Sequence, residues 1–250
     1  MTRVRVMPCL LLRGHGLVKT RKFKDPVYLG DPINAVRIFN EKEVDELVIL
    51  DIDASREGRE PDYDVIAEIA GECFMPVAYG GGVRTLEQAR RLIRGGVEKV
   101  VVNTAATVSY DMIRETAQVF GRQAVVGAID VKKSLLGGYR VVSKSSSVEV
   151  RMPLDEHVQA LVAAGAGEIF LNSVDRDGMM EGYDLQLIRR VAQQVNVPVV
   201  ACGGAGTVEH LAAAVHEGGA SAVAAGSMFV FHGRLRAVLI NYPQDLDLQR

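Results

Sequence analysis

Three things are scarce in this sequence: cysteine, an excess of charge of one sign, and long apolar runs. Cys9, Cys73 and Cys202 are odd in number, and none sits in a CxxC or a His-rich cluster. That excludes a disulfide framework and reads as reduced thiols in a cytoplasmic protein. Lysine and arginine total 29 against 31 acidic residues, for a formal net charge of −2, which argues against a dedicated nucleic-acid binder. No uncharged apolar stretch reaches the ~18 residues that a membrane helix needs. The apolar run 6–12 is short, contains Pro8 and lacks a small-residue cleavage site, so it makes a poor signal peptide. His15, His157, His210, His216 and His232 are scattered without ligand spacing, read as exposed or capping residues, and predict no metal. Nothing calls for a cofactor.

What is present is alternation. Apolar, β-branched runs recur as "VRVMPCLLL", "ELVILDID", "MPVAY", "KVVVN", "AVVGAIDV", "EIFLNS", "VPVVA" and "ASAVAA". Segments of helical period lie between most of them, among them "LEQARRLIR", "YDMIRETAQVF", "LDEHVQALVAA", "LQLIRRVAQQV" and "VEHLAAAVHE". Continuous apolar strands alternating with helices predict a parallel sheet covered by helices. Eight such units in 250 residues predict a closed (β/α)8 TIM barrel. No Pro/Ser-rich linker interrupts it, so a single domain over 1–250 is expected. An internal repeat supports closure. "ELVILDIDASREGREPDYDVIAEIA" matches "EIFLNSVDRDGMMEGYDLQLIRRVA", and Glu46–Glu168 and Thr85–Thr207 share an offset of 122 residues. The repeat predicts two half-barrels, approximately 1–122 and 123–250.

Function in such a barrel belongs to the C-terminal ends of the strands. Gly80, Gly81 and Gly82 follow the third strand; Gly203, Gly204 and Gly206 follow the seventh. Glycine lets backbone N–H groups approach an anion, and the next helix adds its dipole. Asn103 and Thr104 end the fourth strand, and Gly226 and Ser227 the eighth, each offering donors. The expectation is one phosphate cradle in each of two opposite quarters, holding a phosphorylated small molecule; the other reading is tight turns alone. Strand parity sends Arg5, Lys99 and Glu168 to the barrel floor, and repeat symmetry adds Glu46. Two bases and two acids there can pair as a ring. Spacing by itself favours a structural plug. Met179 and Met180, after the sixth strand, line the mouth or simply pack.

The stretches "PCL" with "GLVK", "DELVILDI", "GGGVRTLEQARRLIRGGVEKVVVNTAA", "AIDVK" and "PVVACGGAGTVEHLAAAVHEGGASAVAAGSMF" carry a family resemblance over nearly the whole chain. It resembles HisF, the cyclase subunit of imidazole glycerol phosphate synthase, a lyase-class barrel that takes ammonia from the glutaminase HisH. The resemblance implies that Arg5, Glu46, Lys99 and Glu168 form an ammonia gate facing that glutaminase, with Glu98 as a rim contact. It implies a general acid–base pair of aspartates closing strands one and five. Asp130 fills the second position, but Leu11 stands at the first and cannot move a proton. Lys19, Asp51, Asn172 and Asp177 match substrate-binding positions at the mouth. The stretch "YRVVSKSSSVEVRMP" lacks the family's Gly-rich phosphate-binding segment. "GLVKTRKFKDPVYLGDPINAVRIFNEKEVDEL" and "GSMFVFHGRLRAVLINYP" resemble the HisF-like proteins of surface-polysaccharide (O-antigen) clusters. That branch implies a HisH-like glutaminase in a heterodimer, a separate sugar amidotransferase, and an acetamidino-sugar product for lipopolysaccharide, with weak or absent cyclase activity. An active histidine-pathway cyclase and a non-catalytic scaffold that activates a glutaminase are the alternatives.

Overall fold

The structure, a computed structural model, describes residues 3–134, 137–143, 148–243 and 248. Eight parallel strands make its centre: β1 (Arg5–Arg13), β2 (Leu47–Asp51), β3 (Val77–Gly80), β4 (Lys99–Val102), β5 (Val125–Lys133), β6 (Glu168–Ser173), β7 (Val199–Cys202) and β8 (Ala222–Ala225). Each pairs with the next in chain order, and β8 pairs back onto β1, with Arg5 opposite Ala222 and Pro8 opposite Ala225. The sheet is a closed barrel of the (β/α)8 type.

The outer layer contains α1 (Pro32–Glu41), α2 (Tyr63–Glu72), α3 (Leu86–Arg94), α4 (Asp111–Phe120), α5 (Leu154–Ala164), α6 (Leu185–Ala192) and α7 (Val208–His216). After β8 the described residues form one helical turn, Ser227–Val230, and a short hairpin pairing Phe231 with Val238. Period-2 alternation divides each strand between two cores. Val6, Leu10 and Leu12 of β1 face outward into the layer packed by the helices. Met7, Cys9 and Leu11 face inward with Val48, Ala78, Val101, Val126, Phe170, Val200 and Ala224.

The 122-residue repeat is visible in the local physics. Asp62 caps α2 by accepting from Val65 N, and Asp184 caps α6 by accepting from Leu187 N. Thr85 caps α3 through Gln88 N, and Thr207 caps α7 through His210 N. Gly81 and Gly203 have φ of 129° and 86°, and a Cβ on either would lie 2.6 Å from a carbonyl oxygen, of Asp51 and Ser173 respectively. The chain must be glycine there because it turns under the preceding strand end at closer than side-chain distance.

Two hairpins were not anticipated. Gly16–Arg21 returns along β1, and Lys24–Gly30 pairs with it. Thus Lys19 sits on a strand rather than in a loop. Tyr139–Ser143 pairs with the long end of β5, and Val148–Glu149 with that segment; the serine run between them lies outside the described residues. His157 is a correction: it is 1% exposed, on the inner face of α5. Tyr110 Oη lies 2.7 Å from its Nδ1, and burial drives its pKa down to about 4, so it belongs to the core rather than the surface. All three cysteines are free thiols. No helix among the described residues is long and apolar enough to cross a membrane.

The caps give a graded test. Thr85 makes a full capping box with Gln88, whereas Thr207 makes only the outward half. Thr85→Ala is expected to cost about 1 kcal/mol and Thr207→Ala less, read from urea denaturation midpoints at constant m-value.

Candidate functional site

The inward rows of the strands sort by height. At the floor, Arg5, Glu46, Lys99 and Glu168 meet. Lys99 Nζ lies 2.8 and 2.7 Å from the two carboxylate oxygens of Glu46 and 3.4 Å from Glu168 Oε2. The Arg5 guanidinium bridges both carboxylates, one through each terminal nitrogen. The side chains of Glu46 and Glu168 are 3% and 8% exposed, and that of Arg5 is 32%, so the ring opens outward through its arginine. Burial alone would lower the Arg5 pKa; the Glu168 and Glu46 charges outweigh it and hold the guanidinium above its ordinary value. Above the ring the barrel wall is apolar, from Met7 and Val48 up to Ala128 and Phe170. Glu98 is exposed beside the ring, its N–H donated to Val77 O.

At the C-terminal mouth lies a cavity of about 1220 Å³, counting its open entrance, lined by both glycine turns and by residues from every strand. Gly81, Gly82, Asn103, Thr104, Gly203, Gly204, Gly226 and Ser227 all line it, as do Lys19, Asp51, Asp130, Asn172 and Asp177. Apart from Gly206, Met179 and Met180, the candidates for the mouth are therefore brought together there. Met179 and Met180 are not among the lining residues.

The three lining carboxylates differ in their partners. Asp51 accepts from Asp53 N at 3.0 Å and Ala54 N at 2.9 Å, and is clamped by Arg59 at 3.3 Å. Asp177 accepts from Lys19 Nζ at 2.7 Å and Thr20 Oγ1 at 3.1 Å. Asp130 has no cation beside it among the described residues. It is held by two amides, Asn103 Nδ2 at 2.7 Å and Asn172 Nδ2 at 3.2 Å. Burial raises its pKa to about 7, against the two amide donors, which pull it down, and with the Asp177 charge adding to the rise. Leu11, on β1, is buried in the inner cluster and also lines the cavity. No carboxyl group stands at its position.

Some polar groups of the mouth are already engaged and others have no partner. Gly82 N donates to Ser55 Oγ at 3.1 Å, so that amide is spent on its own loop. Ser227 Oγ and Asn172 Oδ1 are buried without a hydrogen-bond partner. Gly226 leaves room for Lys19, whose Cε would lie 2.9 Å from a Cβ there. Sequence reasoning missed Arg59, Thr20, Ser55 and Phe23, which carry no motif of their own. It also missed that Asn103 and Asn172 hold Asp130, because that contact joins three strands. Among the described residues, no group of three or more His, Cys, Asp or Glu side chains comes together to hold a metal ion.

Fold and site together define a (β/α)8 barrel with a charge ring at its floor and its polar side chains gathered at the mouth. The family model for histidine biosynthesis proteins matches residues 5–236. A Pseudomonas aeruginosa protein provisionally named imidazole glycerol phosphate synthase subunit hisF2 is 58% identical over 243 residues, spanning 97% of each chain. A Vibrio vulnificus protein provisionally named hisF3 of the same enzyme is 49% identical over 97% of this chain and 94% of its own. A Leptospira interrogans protein, provisionally named HisF, is 47% identical over 99% of this chain and 98% of its own. The chain belongs to the histidine biosynthesis protein family, as a HisF member.

The state of Asp130 is testable through stability. Its folded pKa of about 7 stands above the ordinary carboxyl value of 3.8, so the unfolded chain gives up this proton first as pH rises. The contribution to stability is favourable below about pH 4 and is lost as pH climbs through 7. Asp130→Asn should therefore be more stable than the parent at pH 8 by a few kcal/mol, with the gap closing toward pH 4. Denaturation curves across that pH range measure it. A constant gap would mean that the carboxyl titrates normally.

Proposed function

We propose that this chain is the HisF-like synthase subunit of a glutamine amidotransferase system. In this reading it receives ammonia from a HisH-like glutaminase docked at the barrel floor in a 1:1 heterodimer. Ammonia passes through the barrel to the mouth, where a phosphorylated small molecule binds. A cytoplasmic role in acetamidino-sugar formation for lipopolysaccharide or O-antigen, with a separate sugar amidotransferase, accounts best for the rest. The observation that carries the reading is the contrast between the two ends: a complete charge ring at the floor, and at the mouth one acid without a cation beside it, in the cavity that Leu11 also lines. The apolar wall between them suits neutral ammonia, since an unpaired ammonium would lose its hydration there. The unpartnered Ser227 hydroxyl and the glycine turns suit phosphate oxygens.

A second reading, an active cyclase, draws on Asp130, whose pKa of about 7 is matched to proton transfer at neutral pH. One assay separates the two. With ammonium salt supplied directly, the unmodified protein should turn over the histidine-pathway intermediate at least about 10²-fold more slowly than an authentic cyclase, because one proton-transfer group is missing. Comparable rates would establish the cyclase reading instead.

The partner and the gate are tested together. Co-expression with the HisH-like protein should give one heterodimer peak on size exclusion and stimulated glutamine hydrolysis; separate peaks without stimulation would overturn the partner. Lys99→Leu leaves the ring with two acids and one base. It should cost about 3–5 kcal/mol of stability and uncouple glutamine hydrolysis from product formation. Unchanged coupling in a variant that still folds means that the ring is a plug and not a gate.

A further inference from the structure

The mouth also has a basic rim that none of the residues discussed above explains. Arg236 belongs to the hairpin after β8, and its backbone is left-handed at φ 53°. A bulky residue in that region is strained and persists only where its surroundings hold it. The holders are identifiable. Arg236 Nη2 donates to Gly178 O at 2.7 Å, and its guanidinium carbon lies 5.0 Å from the centre of the Phe231 ring. Its Nε is buried with no hydrogen-bond partner.

Arg21 packs against the same glycine. A Cβ on Gly178 would lie 3.0 Å from Arg21 Cα and 3.3 Å from its Cγ. Gly178 and Phe23, two residues beyond Arg21, both line the cavity. The two arginines thus stand together on the rim, where the β1 hairpin meets the loop after β6. No carboxylate neutralises them among the described residues. Asp177, beside Gly178, is already committed to Lys19 and Thr20. Burial, then the Arg21 charge, hold Arg236 below its ordinary guanidinium value. Lys22, exposed, adds a third cation, its backbone N–H anchored to Asp177 O at 2.9 Å. Like charges fixed side by side, one on strained backbone with an unused buried donor, are an arrangement that an oxyanion would complete.

We propose that Arg21 and Arg236 form an oxyanion clamp on the rim of the mouth, outside the two glycine turns, that holds an additional phosphate-type group of the bound ligand. The ligand is then longer and more anionic than one filling only the cavity. Its outer oxyanion would accept from the exposed Arg21 fork, with the Arg236 guanidinium supplying the second charge, while its inner end lies against Gly203, Gly204 and Ser227. This rests on reading the mouth as a site for a phosphorylated small molecule.

Inorganic pyrophosphate is the probe, titrated calorimetrically into the full chain and its variants. Arg21 is exposed, so Arg21→Gln is expected to keep the fold, checked by an unchanged denaturation midpoint. It should weaken pyrophosphate binding about fivefold or more and flatten its salt dependence, as loss of one charged donor requires. Arg21→Lys should recover part of the loss, and Arg236→Gln should match Arg21→Gln. Ser227→Ala reports on the inner end independently. If Ser227→Ala weakens pyrophosphate while both arginine variants bind it like the parent, the clamp is wrong and the mouth reading stands. If the arginine variants weaken it and Ser227→Ala does not, the arginines bind an oxyanion by themselves, and the mouth reading, with the shared ligand built on it, fails. Parental affinity in all of them overturns both.

Discussion

The constraint from which the structure follows is that charge inside a closed barrel has to be paired. Arg5, Lys99, Glu46 and Glu168 satisfy it by meeting as two bases and two acids, each contacting both partners of opposite sign. Because side chains alternate along a strand, fixing these four at the floor fixes every inward position above them. Arg5 leads to Met7, Cys9 and Leu11; Lys99 to Val101 and Asn103; Glu168 to Phe170 and Asn172. A slip of one residue would turn Val6, Val100 and Ile169 inward and drive the charges into the helix-packed layer. Ring, apolar wall and mouth are therefore one register, not three features.

The same physics operates differently at the mouth, where solvent reaches. Asp51 and Asp177 answer the requirement for pairing with Arg59 and Lys19. Asp130 is buried with only neutral amides to answer it; burial raises its pKa and the amides offset only part of that, so its proton is held to about pH 7. A carboxyl group poised in this way can give or take a proton near neutrality. Paired acid–base chemistry needs a second such group, and Leu11 supplies none.

Much of this was legible in the residues. Eight apolar runs separated by periodic segments gave the strand count; parity placed Arg5, Lys99 and Glu168 at the floor, and the 122-residue repeat added Glu46. The hairpin at Gly16–Gly30 was not legible, and the reason is local. Its tip, Lys22 and Phe23, takes φ of 50° and 63°, which usually calls for Asn or Gly and is here imposed by tertiary contact. His157 was readable in principle. Leu154, His157, Val158 and Leu161 follow the i, i+3, i+4, i+7 pattern of a buried face, and that pattern outranks the histidine's polarity. The amide pair around Asp130 was out of reach, since it depends on which rotamers Asn103 and Asn172 take across neighbouring strands.

Leu11 then has a positive role as well as a missing one. An aspartate at that point would place a fourth carboxyl group in a cavity whose lining already includes Asp51, Asp130 and Asp177, and would need a cation or a raised pKa of its own. Leucine instead continues the inner wall of Met7 and Cys9 by one more layer, up to the residues that line the mouth. Under the proposed function, ammonia leaving the ring stays in apolar surroundings, and so stays neutral and nucleophilic, until it reaches Asp130 and the ligand. A leucine there trades proton transfer on one side of the mouth for a longer dry path. That exchange favours a subunit that delivers a nucleophile over one that closes a ring.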